Sequence, residues 1–265
     1  MRPIGFFDSG VGGLGIFKRV AEKLPHHDLV YVADNANLPF GEKSIDQLNK
    51  ISETIVQYLL DQHQVQAVVI ACNTATVASL DYLRQRFTVP IIGAVPVVKP
   101  ACEQSKNKRV AIMATPTTAK SAYLQALIAQ YGSACNVLTI GCPGLANLVE
   151  TGDLNSPEIH AALEQFLAPV RAHNVDTLGL GCTQYPFLRD QIAAMLSPGV
   201  TILDSNEPVA RRVEQVITSM PGYAPVQNHA PSYLVYATQD APTFGVVTRK
   251  LLGSMPIDVQ ALKLG

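Results

Sequence analysis

The chain has 265 residues, enough for one large domain or two of ordinary size, with a sizeable core in either case. Hydrophobic residues make up 48%, charged residues 15%, and the formal net charge is −1, which excludes a disordered tail and an electrostatic grip on nucleic acid. No apolar run approaches the length of a membrane span or signal peptide, so a cytoplasmic protein with a small polar ligand, and with neither nucleic-acid nor membrane partners, is expected.

In chain order, residues 3–8 read as a buried strand that brings Asp8 to its carboxyl end, followed by Ser9, a glycine-rich turn and a helix to about Leu24. Gly10, Gly12 and Gly15 match the G-x-G-x-x-G fingerprint, and Asp34 ends the next strand, Leu29–Ala33, where a ribose-binding acid belongs. A nucleotide-binding oxidoreductase is therefore one reading. Against it, the Asp8 carboxylate stands immediately before the turn that would hold a pyrophosphate, where like charges repel. The same glycines let backbone N–H groups at a helix N-terminus receive a carboxylate equally well.

The loop from Asp34 to Lys43 is polar and punctuated by Pro39 and Gly41. Apolar residues at 48, 51, 55, 56, 59 and 60 form a helical stripe from Ser44 to Gln62. It leads to an apolar strand from Ala67 that ends in Ala71, Cys72, Asn73 and Thr74; a helix over about 75–87 and a strand from Val89 to Val95 complete one half.

The second half repeats the order of elements. A strand Arg109–Ala114 is followed by a hydroxyl-rich turn with Thr115, Thr117 and Thr118, a helix to about Tyr131 and a strand Val137–Gly141. Cys142, Pro143 and a segment carrying Glu150 follow, then a helix over about 156–172 and a strand from Asp176 that ends in Gly181, Cys182, Thr183 and Gln184. A further helix and the strand Val200–Asp204 close this half. A strand near 233–237 and a helix near 242–252 have no counterpart in the first repeat and are expected to return to the first domain. The predicted organisation is a discontinuous first domain, 1–97 with 208–265, and a second domain, 98–207.

The echo between Cys72 and Cys182 is the chief functional signal. A lone buried cysteine behaves as a small hydrophobe. Two in the same local context, each at the carboxyl end of a strand where open α/β sheets gather ligands, point to paired thiols in a cleft and to proton chemistry. The five cysteines, at 72, 102, 135, 142 and 182, are odd in number and widely spaced, which argues against a disulfide framework. None forms a Cys-x-x-Cys pair and the six histidines lie outside the cysteine motifs, so no metal site is expected.

With Phe7-Asp8-Ser9-Gly10-Val-Gly-Gly-Leu14, Ala71-Cys72-Asn73-Thr74-Ala-Thr76 and Gly181-Cys182-Thr183 in view together, the chain closely resembles the bacterial glutamate racemases. The resemblance is nearly full length and extends to Leu38-Pro39-Phe40-Gly41, to Thr115 through Ser121, to Cys142-Pro143 with Leu148-Val-Glu150, and to Ile202-Leu-Asp204-Ser205. It implies an α/β fold of two pseudosymmetric open domains with mostly parallel sheets, an active site in the interdomain cleft, and a homodimer. It further implies interconversion of L- and D-glutamate without pyridoxal phosphate or another cofactor, supplying D-glutamate for peptidoglycan. Cys72 and Cys182 would work on opposite faces of the α-carbon. Asp8, Ser9, Pro39, Phe40, Gly41, Asn73, Thr74, Thr118, Thr183 and Gln184 would bind substrate. Racemisation of aspartate or a hydantoin on the same plan, and a binding protein that has lost activity through Gln184, are the alternatives.

Two positions depart from the family pattern. Phe40 stands where tyrosine is usual, which costs little if the loop contributes backbone donors. Gln184 stands where the family has a histidine thought to assist the second cysteine, so a group able to take up a proton has become an amide. The chemistry agrees with the resemblance: moving a proton from one face of an α-carbon to the other needs an acid and a base on opposite sides. Thiols, with a reference pKa near 8.5, come within reach of neutral pH when neighbours adjust them. Asp8 beside one thiol and Glu150 beside the other are expected as catalytic carboxylates.

Overall fold

Ile4–Asp8 (β1) is buried along its whole length, as a parallel strand covered on both faces must be, and the same holds for Leu29–Ala33 (β2) after the helix Leu14–Lys23 (α1). A computed structural model of the protein describes residues 2–224 and 229–264; residues 1, 225–228 and 265, all within the predicted first domain, lie outside the described residues. The chain continues through Ile45–His63 (α2), Ala67–Ile70 (β3), Asn73–Arg86 (α3) and Ile91–Gly93 (β4). Helix α2 starts where its sequence provides a reciprocal cap: the Gln47 N–H donates to Ser44 Oγ at 3.2 Å and the Ser44 N–H donates to Gln47 Oε1 at 2.9 Å. Strand β4 is shorter than its apolar run because Pro90 and Pro96 bracket it, and neither has an N–H for the ladder.

The next stretch is Val98–Gln104 (α4), Arg109–Ala114 (β5), Pro116–Lys120 (α5), Ala122–Tyr131 (α6), Asn136–Gly141 (β6), Leu145–Glu150 (α7), Pro157–Ala172 (α8), Thr177–Gly181 (β7), Arg189–Met195 (α9) and Thr201–Leu203 (β8). The chain ends with Asn206–Thr218 (α10), Tyr233–Ala237 (β9), Ala241–Leu252 (α11) and Asp258–Ala261 (β10). Two compact units result: one holds the residues up to Ala94 and those from Asn206 onward, the other Val95–Ser205.

Each unit is built on a parallel sheet. The first has the order β10-β9-β2-β1-β3-β4, the second β6-β5-β7-β8. Numbered within each repeat, both contain the order 2-1-3-4, so the duplicated order of elements is a duplicated topology; β9 and β10 extend the first sheet beyond β2. The expected α/β class with parallel sheets holds.

Four elements differ from the sequence reading, one of them helix α10, over a segment to which no element was assigned. The hydroxyl-rich turn is the short helix α5, with Thr115 as N-cap and Pro116 at its first position, where a missing N–H costs nothing. Helix α4 was not anticipated, because Pro100 reads as a breaker; it lies in the first turn, where proline is tolerated. Strand β10 was not anticipated either, being a largely exposed edge without an apolar pattern.

In the first unit α1 packs close to the sheet through Gly13. A Cβ there would lie 2.5 Å from the Ala71 Cβ and 2.8 Å from the Tyr31 hydroxyl, both in tightly packed surroundings. Gly13→Ala is expected to destabilise the protein by about 1–3 kcal/mol, read as a lower urea midpoint at unchanged slope.

Candidate active site

Strands β1 and β3 are neighbours, with Phe7 opposite Ile70, so Asp8 and Cys72 leave the sheet side by side at its carboxyl edge. Asp8 is fully buried, and the Ser9 hydroxyl donates to its Oδ1 at 3.0 Å. Cys72 is the N-cap of α3, its Sγ accepting the Ala75 N–H at 3.5 Å. Burial pushes the Cys72 thiol up, and the adjacent Asp8 charge pushes it further; N–H groups of Ala75, Ser9 and Thr74 work in the opposite direction by favouring the thiolate. A cation arriving beside Asp8 would offset the repulsion.

Asn73 and Thr74 begin α3 and are both buried. The Asn73 amide donates to the Ala94 carbonyl at 2.7 Å, while its Oδ1 is buried without a hydrogen-bond partner. An orphan acceptor of this kind costs on the order of 1–3 kcal/mol, so a ligand donor there is favoured.

The loop after β2 is held by its own acid. Asp34 is buried, accepts Asn37 Nδ2 at 3.1 and 2.9 Å and the Thr238 hydroxyl at 3.0 Å, and burial raises its pKa despite those bonds. Its carboxylate is engaged in tying the loop down instead of facing a ribose. The glycine run likewise has packing reasons: the Tyr31 hydroxyl donates to the Gly10 carbonyl at 2.7 Å, and a Cβ on Gly15 would meet the Asn206 amide at 2.7 Å. Pro39 precedes a single 3-10 turn, Phe40–Glu42, that includes Gly41 and packs on α3. The Phe40 ring is buried in the core cluster that includes Cys72, Ala75 and Leu48, so this side chain serves the core and the loop presents backbone.

In the second unit β5 and β7 are neighbours, with Ala114 opposite Gly181, and Cys182 follows at the carboxyl edge as Cys72 does in the first. Ala114 stands where the first unit has Asp8, and the residue after it, as Ser9 is in the first unit, is Thr115. Its hydroxyl accepts the Thr118 N–H at 3.3 Å and donates to the Thr118 hydroxyl at 3.1 Å, and Thr118 is buried. The carboxylate comes instead from the end of α7. Cys182 Sγ donates to Gln184 Oε1 at 3.0 Å, and Gln184 Nε2 donates to Glu150 Oε1 at 3.0 Å, giving a continuous chain from thiol through amide to carboxylate. Thr183 and Gln184 are buried.

The model of the Asp/Glu/Hydantoin racemase family matches residues 15–213. The chain belongs to that family. A glutamate racemase of Pseudomonas aeruginosa is 42% identical over 231 residues, 87% of each chain. The crystal structure of Escherichia coli glutamate racemase in complex with L-glutamate and the activator UDP-MurNAc-ala superposes with a TM-score of 0.88 at 29% identity, covering 100% of both chains. That of the Francisella tularensis glutamate racemase in complex with D-glutamate gives 0.84 at 27% identity, over 99% of this chain and 98% of that one. The resemblance read from the motifs thus holds across the chain, and the protein is an amino-acid racemase, an isomerase.

Two residues of this racemase escaped the sequence reading of the site. Cys142, at the end of β6, is buried; burial pushes its thiol up to about 12, and its Sγ donates to the Ile140 carbonyl at 3.6 Å. Tyr185 is fully buried and donates to the Cys142 carbonyl at 3.3 Å. A tyrosine four residues past an apolar strand reads as core, and nothing in its spacing points to Cys142. Among the described residues no group of three or more His, Cys, Asp or Glu could hold a metal ion, and no helix is long and apolar enough to cross a membrane.

Proposed function

We propose that this racemase interconverts L- and D-glutamate with Cys72 and Cys182 as the two proton carriers, without a cofactor, and so supplies D-glutamate for peptidoglycan. The observation that carries the mechanism is the duplicated arrangement itself: a buried thiol at the carboxyl end of a parallel strand in each unit, with Asp8 beside one and the Gln184–Glu150 pair beside the other. One thiolate takes the α-proton, leaving a carbanion, and the opposite thiol returns a proton to the other face. The carriers exchange roles in the reverse reaction. Backbone N–H groups at the start of α3 and after Cys182 bind substrate carboxylates and hold the developing negative charge. The buried Asn73 Oδ1 and Asp8 receive the ammonium group, whose charge offsets the effect of Asp8 on Cys72. Ser9, Thr74, Thr118 and Thr183 supply hydroxyls, and Pro39, Phe40 and Gly41 supply backbone. Glutamate is preferred to aspartate or a hydantoin because relatives at 29% and 27% identity hold its two enantiomers. On the family resemblance the enzyme is read as a cytoplasmic homodimer; sedimentation as a monomer at assay concentrations would overturn the dimer.

Loss of the circular dichroism of L-glutamate to zero, without added cofactor, tests the activity. The mechanism predicts that in deuterated water D-glutamate formed early carries solvent deuterium at the α-carbon, measured by mass spectrometry. Mostly protiated product would mean that one group handles both faces, contrary to two separate thiols.

A further inference from the structure

Strand β4 is short and stands at the edge of its sheet: Ile91–Gly93 pairs with β3, and Ala94, the first residue past it, is the last of the first unit before the chain leaves it. The ladder reaches Ala94 through its N–H, which donates to the Ile70 carbonyl at 2.9 Å. The Ala94 carbonyl in turn aims Asn73, accepting its Nδ2 at 2.7 Å. Because the side-chain amide is planar, holding Nδ2 also fixes the buried Oδ1, which has no hydrogen-bond partner.

We propose that Thr76 is a positioning residue for Asn73: its hydroxyl locks the carboxyl end of β4 to that of β3 and to the first turn of α3, and thereby sets the Asn73 amide for substrate. This rests on the reading that Asn73 Oδ1 receives the substrate ammonium group, and deepens it. Thr76 is buried, and its Oγ1 accepts the Ala94 N–H at 3.0 Å while donating to the Ile70 carbonyl at 3.3 Å. The Ala94 N–H is thus shared between two acceptors that are hydrogen-bonded to each other, a closed triangle that joins β3, β4 and α3. Helix α3 grips Ala94 on both sides, Thr76 on its N–H and Asn73 on its carbonyl, so a shift of Ala94 is a shift of Asn73. The Thr76 N–H donates to the Cys72 carbonyl at 2.9 Å, which ties the same residue to the backbone of a proton carrier. Its methyl group is held as well: a Cβ on Gly93 would lie 2.6 Å from Thr76 Cγ2 and 3.2 Å from Oγ1, so Thr76 fills the space that a side chain at 93 would take. The repeated fold does not demand this arrangement. Counted from the cysteines, Pro186 stands in the second unit where Thr76 stands in the first, and it has no hydroxyl.

Thr76→Val keeps the shape and removes the hydroxyl, while the Ala94 N–H retains the Ile70 carbonyl and is not orphaned. In isotope-labelled full-length protein, solvent exchange of the Asn73 side-chain amide protons is followed by NMR, and KM and kcat for L- and D-glutamate by circular dichroism. Thr76→Val should speed the exchange about tenfold and raise KM for both enantiomers about tenfold with kcat little changed, which marks lost binding and not lost chemistry. Thr76→Ser keeps the hydroxyl and should keep the parent exchange rate and KM. Gly93→Ala drives Thr76 from its place and should act like Thr76→Val; adding Thr76→Ser to it removes the methyl group and should recover part of the loss. Exchange unmoved by Thr76→Val in folded protein overturns the inference, as does equal acceleration by Thr76→Ser, or faster exchange at unchanged KM. If Thr76→Val does not fold, Gly93→Ala with and without Thr76→Ser decides in its place. A parent chain inactive on glutamate would count against the proposed function, and the exchange rates would then decide the role of Thr76 alone.

Discussion

Cys72→Ala and Cys182→Ala are each expected to lower kcat/KM at least about 10³-fold, in both directions, with the far-ultraviolet dichroism and thermal midpoint of the parent protein. Each thiol acts once per turnover whichever enantiomer enters, so neither variant can retain one direction. The two enantiomers have equal free energies in achiral solvent, which requires both kcat/KM values to fall by the same factor. The scaffold does not depend on the sulfurs for its framework: the strands that end at them are held by parallel ladders, and neither cysteine is in a disulfide. Cys102→Ala and Cys135→Ala are the matching controls. These two lie against each other, with Cys135 Sγ 3.6 Å from the Cys102 carbonyl, in a core cluster of the second unit, and their replacement should preserve turnover. Substantial racemisation by either Cys72→Ala or Cys182→Ala would sink the two-thiol mechanism.

What was legible in the sequence depended on burial on both faces. Leu29–Ala33 and Ala67–Ile70 are apolar runs buried along their whole length, and each is a strand of the parallel sheets. Asp258–Ala261 escaped because an exposed edge strand is recruited by its neighbour's backbone, which leaves no pattern in its side chains. The same division runs through the candidate site. Cys72 and Cys182 stand out because their local sequences echo each other. The bond from Gln184 to Glu150 spans 34 positions and depends on where α7 ends relative to β7, which no local pattern records. Phe40 was readable as a loop residue, yet its ring belongs to the core.

Gln184→His is expected to raise kcat/KM for both enantiomers together, by about 10²-fold, the low end of general acid–base effects. In the parent chain the Cys182 thiol donates to Gln184 Oε1, and an amide takes up no proton at neutral pH. The Glu150 carboxylate, now 3.0 Å from the amide nitrogen, is placed to accept a ring N–H from an imidazole at 184. That bond would orient the ring and leave its other nitrogen facing the sulfur, to take the thiol proton when Cys182 acts as base and return it when Cys182 acts as acid. The carboxylate would also favour the imidazolium, which can donate to the thiolate that Gln184 Oε1 opposes. Equal enantiomer energies again require one factor for both directions, although kcat and KM can shift unequally within each. Initial rates with L- and D-glutamate, followed by circular dichroism, give the two ratios. The gain should disappear in Gln184→His combined with Glu150→Gln, since a neutral partner neither orients nor charges the ring as the carboxylate does. An unchanged rate for Gln184→His in an already fast enzyme would mean that the histidine role does not carry over to this chain; inactivity of both forms on glutamate would remove the substrate assignment itself.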